Sequence, residues 1–359
     1  MVFGTRRAEP VDSASLLPRS TRPRASALER ERAVHHALDC LYAIARRESV
    51  FRLYDGHLLL ALALAASTSR SRGLRRKATA MGRERARRWM TRWPLIRSRL
   101  DADSVMQQVI ASDGASRLGL MPRRIQRDLH AVIARIPAST LLYFDPARED
   151  VPMDVPAECA CGTFAPRGRR TCVTCGRRLK LLDPYEVWYY ALTSAYFCER
   201  QGMPLQVRPA DLLRKVSDLR PYPAAGTRRH YQAVYAVTHI VYVLNDYGEA
   251  RLSPRVLRRE RAFLAASLRP ALDRREPDTV AEIVESLLAL GVSDTNPLVE
   301  AGRTFLLATQ RPDGGWGDEA DEYGRFHTLW AAIDALKDHA WKHRKIGLVP
   351  TIGGRRSHS

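Results

Sequence analysis

Four cysteines are the clearest chemical signal in the sequence, in a C-x-C-x10-C-x2-C pattern formed by Cys159, Cys161, Cys172 and Cys175. Two short turns carrying four thiolates suit tetrahedral Zn²⁺, and a glycine after each pair lets backbone N–H groups turn toward sulfur. Because protein ligands would fill all four positions, we expect a structural zinc that stabilises a segment too short to form its own core. A redox-active cysteine pair is the alternative.

A second group of chemically capable residues lies along a predicted helix at 228–247. Tyr235, His239, Tyr242 and Asp246 follow one another at intervals of three or four residues, so they share one helix face. A parallel stripe of valines and leucine gives this helix a separate apolar face. A histidine with an ordinary pKa near 6.5 can act as a general acid or base, or bind a metal, near neutral pH.

Two further predicted helices carry similar faces. The helix at 325–342 contributes His327, Trp330 and Asp334, with Tyr323 just before it, and the helix at 184–201 contributes Trp188 and Tyr189. Aromatic walls with a few His and Asp groups are typical of a site for an apolar or cationic ligand.

We therefore expect His239 and His327 to be catalytic groups or metal ligands that Asp246 and Tyr323 orient. The expected lining comprises Tyr235, Tyr242, Trp188, Tyr189, Trp330 and Asp334. The competing interpretation is a packed core whose tyrosine hydroxyls are all hydrogen-bonded.

The hydrophobic periodicity predicts an all-α protein. The predicted helices span 26–48, 55–68, 74–93, 102–113, 122–136, 184–201, 208–219, 228–247, 254–268, 278–290, 296–310 and 325–342. Residues 137–183 read as non-helical, with 139–144 compatible with an extended strand, and the cysteine pattern makes 146–182 a zinc-ribbon-like insertion. Many helices of three to five turns joined by short loops suit a closed ring of helical hairpins.

One helix–turn junction supports that architecture. Residues 302–316 read GRTFLLATQRPDGGW, which predicts a helix ending at Gln310, a turn containing Gly314, and Trp316 folded back over the helix end. This segment resembles the QW motif of the squalene–hopene and oxidosqualene cyclase family, which is related to the β-subunits of protein prenyltransferases. The resemblance implies an α/α toroid over 25–345, interrupted by the insertion at 146–182, with an isoprenoid or other apolar small molecule bound in a central cavity.

The resemblance does not extend to the catalytic motifs of those enzymes. The D-x-D-D acid motif is absent, because Asp101 and Asp103 are followed by Ser104, and the D-x-C zinc motif is absent, because Asp39 and Cys40 are adjacent. We expect an enzyme that uses the His and Asp groups instead, with an additional catalytic metal left open. The alternatives are a non-catalytic toroid that binds a hydrophobic ligand or peptide, and a zinc-containing basic protein that associates with an acidic partner.

Composition and charge limit the remaining choices. The chain has 359 residues, with 58 Lys and Arg against 39 Asp and Glu, a net charge of +19. This excess favours an anionic partner or an Arg-rich solvated surface, but no DNA- or RNA-reading motif accompanies it. The tails at 1–24 and 346–359 are predicted to be flexible and basic. The apolar run 58–66 is short for a bilayer, no secretory h-region is evident, and six cysteines suggest a reducing cytoplasm.

Overall fold

The computed structural model describes residues 26–345, except residues 103, 121, 158, 160, 162, 164 and 318–320. The predicted tails at 1–24 and 346–359 lie outside the described residues. Within the described part the protein is predominantly helical, as the sequence predicts. The α-helices there are α1 (Ala27–Arg46), α2 (Glu48–Thr68), α3 (Arg72–Thr91), α4 (Trp93–Arg97), α5 (Val105–Arg117), α6 (Arg123–Ile133), α7 (Ala138–Leu142), α8 (Pro184–Arg200), α9 (Pro209–Leu213), α10 (Arg228–Leu244), α11 (Arg258–Asp273), α12 (Pro277–Ala289), α13 (Pro297–Thr309) and α14 (Glu322–Leu336).

Capping groups encoded in the sequence set several helix starts. Ser26 and Glu29 form a reciprocal capping box at α1, and Asp183 with Glu186 does the same at α8. Proline occupies the first turn of α8, where its missing N–H costs no helical hydrogen bond. These local signals explain why the predicted and observed starts of α1 and α8 agree within about one residue.

Six helices contact one another in a closed succession. Helix α2 packs on α5, α5 on α8, α8 on α10, α10 on α12, α12 on α14, and α14 returns to α2. The helices α1, α3, α11 and α13 pack against members of this set. Helix α12 is buried at every position from Thr279 to Ala289, so neighbours cover all its faces. Polar residues on such a helix must find partners inside the protein.

Two long helices end earlier than their hydrophobic patterns predict. Helix α10 ends at Leu244, and Asp246 and Tyr247 then adopt left-handed backbone conformations with φ of 54° and 52°. Helix α14 ends at Leu336 rather than near 342. The residues beyond these ends form a short parallel pair of strands, β1 (Ala250–Leu252) and β2 (His343–Lys345), that the sequence analysis did not predict. Pairing between two segments far apart in the sequence therefore follows these helix ends.

The segment at 139–144 is not extended, as the sequence suggested, but largely helical. Pro137 precedes the single turn of α7, and Leu141 and Leu142 point into the core. Burying two adjacent leucines against neighbouring helices outweighs the weak strand preference of a short apolar run.

The Gln310–Trp316 junction joins three elements. The Gln310 amide donates hydrogen bonds to the carbonyls of Ala33 on α1 and of Gly314 in the turn, at 2.9 and 3.0 Å. The indole N–H of Trp316 donates to the Leu306 carbonyl at 2.9 Å, and the ring is 1% exposed. Gly314 has φ of +87°, and a Cβ there would lie 2.6 Å from the His36 carbonyl oxygen. The motif therefore fastens the end of α13 to α1.

Among the described residues, one helix is long and apolar enough to cross a membrane by length and composition. It is α2, and 72% of its apolar window is buried inside the protein. A central core helix has the same composition, so the feature is weak evidence for a membrane span.

Candidate functional site

A cavity of about 530 Å³ lies where the six helices of the closed succession meet. Each of them contributes to its wall, including His57 from α2, Gln107 from α5, Tyr189 from α8, His239 from α10, Glu282 from α12 and His327 from α14. The volume falls within the range of small-molecule sites. Tyrosines dominate the lining, which gives the cavity aromatic faces and hydroxyl groups.

His327 forms the most highly charged part of this wall. Its Nδ1 lies 2.8 Å from Asp278 Oδ1, and its Nε2 lies 3.6 Å from Glu282 Oε1. Burial by itself would lower the pKa of His327, but the charge and hydrogen bond of Asp278 outweigh burial and raise the pKa to about 9. The imidazole is therefore protonated at neutral pH.

The pKa values of two glutamates on α12 are also raised, which for a carboxyl group favours the uncharged form. Burial raises the pKa of Glu282 to about 8, against the opposing pull of His327. Burial, followed by the charge of Asp334, raises the pKa of Glu285 well above its usual value. Glu282 is therefore mostly protonated at neutral pH and can donate a proton, and the pKa of Glu285 is shifted in the same direction. Carboxylic acids kept neutral by burial are a recurring source of acid catalysis.

The other two cavity histidines are neutral. His239 Nδ1 lies 2.7 Å from the Tyr235 carbonyl oxygen, which can only accept, so the proton is on Nδ1 and Nε2 has a free lone pair. The His239 ring stacks on Tyr189 at 4.6 Å. The Gln107 amide donates to His57 Nδ1 at 3.0 Å. Burial lowers the pKa values of both histidines to about 4.

The structure brings together most of the residues that the sequence analysis singled out. His239, His327, Tyr323, Tyr235, Tyr242, Tyr189, Trp330 and Asp334 all line the cavity. The ring of Tyr235 lies 6.2 Å from the rings of both His239 and His327, so it stands between them. Two predicted residues lie elsewhere. Trp188 is buried in the core, and Asp246 lies beyond the end of α10, where its left-handed backbone takes it off the helix face.

Sequence reasoning missed the acidic side of the cavity. Asp278, Glu282 and Glu285 follow one another at steps of four and three, and so share one face of α12. The sequence analysis predicts this helix at 278–290 and assigns none of its residues to the site. Two glutamates inside a run of Val, Ile and Leu were the available signal, because buried acids are rare without a role. His57 and Gln107 had no comparable signal.

The four cysteines form a compact cluster outside the cavity. Their sulfur atoms all lie within 4.8 Å of one another, with Cys159 Sγ 3.5 Å from Cys175 Sγ and Cys161 Sγ 3.6 Å from Cys172 Sγ. A tetrahedral zinc with Zn–S near 2.3 Å would hold its sulfurs about 3.8 Å apart, so the cluster is compatible with zinc. The backbone N–H of Cys175 points at the Cys172 sulfur and is the main reason that the pKa of this thiol is lowered, to about 6.

The cysteine segment also supplies part of the cavity wall. Pro156, Ala157 and Leu182 line the cavity. The Ala157 N–H donates to the Lys180 carbonyl at 2.8 Å, and the Leu182 N–H donates to the Val155 carbonyl at 2.9 Å. Cys159 follows Ala157 by two residues, so the segment that carries the cluster is continuous in sequence with this wall.

Comparison with known proteins gives one match. Residues 203–339 match a family described as a domain of unknown function, DUF6895. This is less than half of the chain; it includes the cavity residues of α10, α12 and α14 and leaves out the cysteine cluster. No curated protein matches the chain. No solved structure matches it either.

Proposed function

We propose that this protein is an α/α-toroid enzyme that acts on an apolar small molecule, isoprenoid in type, inside the central cavity. The observation that carries the proposal is that His327 and Glu282 contact each other in the wall of an aromatic-lined cavity, with Asp278 paired to His327. The closed succession of helix contacts and the Gln310–Trp316 junction support the toroid.

In this proposal Glu282 is the general acid. Its side chain is 2% exposed and its pKa is raised to about 8, so it carries a proton at neutral pH in water-poor surroundings. His327 is the positioning residue, and its charge stabilises the carboxylate that remains after proton transfer. Asp278 keeps His327 charged. His239, with a free Nε2, is the base that can take up a proton on the neighbouring helix α10.

For the cysteine cluster we propose a structural zinc. Apart from the cysteines, the small core of this segment consists of Leu179 with Ala165 packed against it, which is too little apolar surface to hold the segment together without a cross-link. Four reduced thiolates would persist in a reducing compartment such as the cytoplasm.

The test is a turnover assay with isoprenoid alcohols, hydrocarbons and diphosphates, with products analysed by mass spectrometry. We expect Glu282→Gln and His327→Gln to reduce turnover per folded molecule by about 10²–10⁴, the usual contribution of a positioned acid. Some stability should be lost with His327→Gln, because the imidazole bridges two carboxyls rather than facing empty space.

Matched controls come from buried histidines outside the cavity. His230 Nδ1 donates to the Pro223 carbonyl at 3.0 Å, and His339 Nε2 donates to the Asp334 carbonyl at 2.8 Å. Glutamine at either position should alter stability and leave turnover per folded molecule unchanged. Equal losses of turnover in the controls and in His327→Gln would refute the catalytic assignment.

A non-catalytic ligand-binding toroid is the second candidate. It is favoured by the position of the His327 ring between two carboxyl groups, with Nδ1 hydrogen-bonded to Asp278 and Nε2 3.6 Å from Glu282 Oε1, which can fix the imidazole in the wall without any part in proton transfer. Saturable binding of isoprenoids without turnover, retained in Glu282→Gln, would support it.

A further inference from the structure

The ionisable side chains that line the cavity differ in kind from the basic excess of the whole chain. The chain carries a formal net charge of +19, yet no lysine or arginine is among the described residues that line the cavity. The acids that line it are Glu282, Glu285 and Asp334. The His327 imidazolium is already bound by Asp278, and Asp334 contacts Lys337. A diphosphate would therefore find no free cationic side chain among these lining residues.

The rest of the lining offers aromatic faces. Tyr54, Tyr143, Tyr189, Tyr190, Tyr235, Tyr242, Tyr247, Tyr323 and Trp330 all line the cavity. Tyr190 and Tyr323 belong to this lining, and their side chains are 42% and 41% exposed. The negative faces of aromatic rings attract organic cations, and the attraction is strongest where water is excluded.

Glu282 and Glu285 add two acidic groups one turn apart on α12. Glu282 faces Asp278 and His327 and accepts a hydrogen bond from Thr238 at 2.7 Å. Glu285 faces Tyr242 on α10 and Asp334 and Lys337 on α14. The neighbouring carboxylates of Asp278 and Asp334 are paired with the cations of His327 and Lys337, respectively. If Glu285 ionises, its negative charge is therefore left for a ligand to neutralise.

We propose that the cavity selects an apolar molecule that carries a permanent organic cation, such as an alkylated ammonium group, with the cation among the tyrosine faces beside Glu282 and Glu285. This inference rests on the ligand cavity of the proposed function but not on turnover. Burial raises the pKa values of both glutamates, that of Glu282 to about 8, and an adjacent cation favours their ionised forms, so binding of the cation is expected to release a proton.

The test compares three probes of similar size by titration calorimetry: benzyltrimethylammonium, its neutral isostere neopentylbenzene, and benzenesulfonate. We expect the cation to bind at least tenfold more tightly than the neutral isostere, equivalent to 1.4 kcal/mol. The sulfonate should bind weakest. Titrations in two buffers of different ionisation enthalpy should show proton release, and cation affinity should rise between pH 6 and pH 9.

Glu285→Gln separates this role from a structural one, because glutamine is nearly isosteric with glutamate but has no carboxyl group to ionise, and the variant should fold normally. It should reduce proton release and remove most of the tenfold preference. Glu260→Gln is the matched control, since Glu260 is a buried acid on α11 that pairs with Arg220 outside the cavity. The cation preference should survive in that variant.

Three results would overturn the inference: equal or tighter binding of the neutral isostere, tightest binding of the sulfonate, or no binding of any probe. Its failure is distinguishable from failure of the proposed function. Turnover of a neutral isoprenoid without cation preference would remove this inference alone, whereas cation preference without any turnover would remove the enzymatic role alone.

Discussion

Replacement of Trp316 by alanine is the sharpest test of how the helices are joined. The indole ring is 1% exposed, and its N–H bonds to the Leu306 carbonyl at the end of α13. Truncating a buried aromatic side chain to alanine costs about 3–5 kcal/mol, and an orphaned buried polar partner adds to that loss. We therefore expect Trp316→Ala to lower the free energy of unfolding by at least about 3 kcal/mol.

Urea denaturation followed by circular dichroism measures this change, with an unchanged m-value showing that the unfolding reaction is the same. Two phenylalanine variants separate the contribution of the indole hydrogen bond from that of packing. Trp188 is equally buried, but its indole N–H has no hydrogen-bond partner among the residues that the structure describes. Trp316→Phe should therefore cost about 1 kcal/mol more than Trp188→Phe. A loss of unfolding free energy below about 1 kcal/mol in Trp316→Ala, or equal losses in the two phenylalanine variants, would refute the stabilising role of Trp316 at this junction.

Three further predictions concern the cysteine cluster, the junction turn and His327. Purified protein should contain about one zinc per chain, and Cys172→Ser should lower both zinc content and thermal stability, while Cys198→Ser, at a buried cysteine of α8, should leave zinc unchanged by metal analysis. Gly314→Ala should destabilise more than Gly226→Ala in urea titrations, because both residues have positive φ but a Cβ meets backbone atoms at Gly314 alone of the two. The folded-state pKa of His327, about 9, lies above its ordinary value of 6.5, so its contribution to stability is complete below pH 6.5 and is lost as the pH rises through 9. His327→Gln should accordingly flatten the decline of melting temperature between pH 6.5 and pH 9, and an unchanged decline would contradict this assignment.

Local chemistry made much of the helical framework predictable from the sequence. Capping residues such as Ser26 and Asp183 act within a few residues of themselves, so their effects can be deduced without the fold. The same holds for the Gln310–Trp316 turn and the cysteine spacing, where short loops bring the partners together. The helix faces that carry His239 and His327 followed from a period of 3.6 residues. The sequence therefore indicated which faces could line a cavity, including the tyrosine-rich face of α10.

The tertiary structure decided where those faces meet and what charge they carry. Helix α10 stops at Leu244, and the residues that follow it pair with β2 from almost a hundred residues away, so no local pattern could show that Asp246 leaves the helix face. The pKa of Glu282 is raised because packed helices bury its carboxyl group, and the pKa of His327 is raised because its ring is paired with Asp278 on another helix. Burial and ion pairing are properties of the assembled fold. The acidic, aromatic character of the cavity is therefore a tertiary property that the basic composition of the chain conceals.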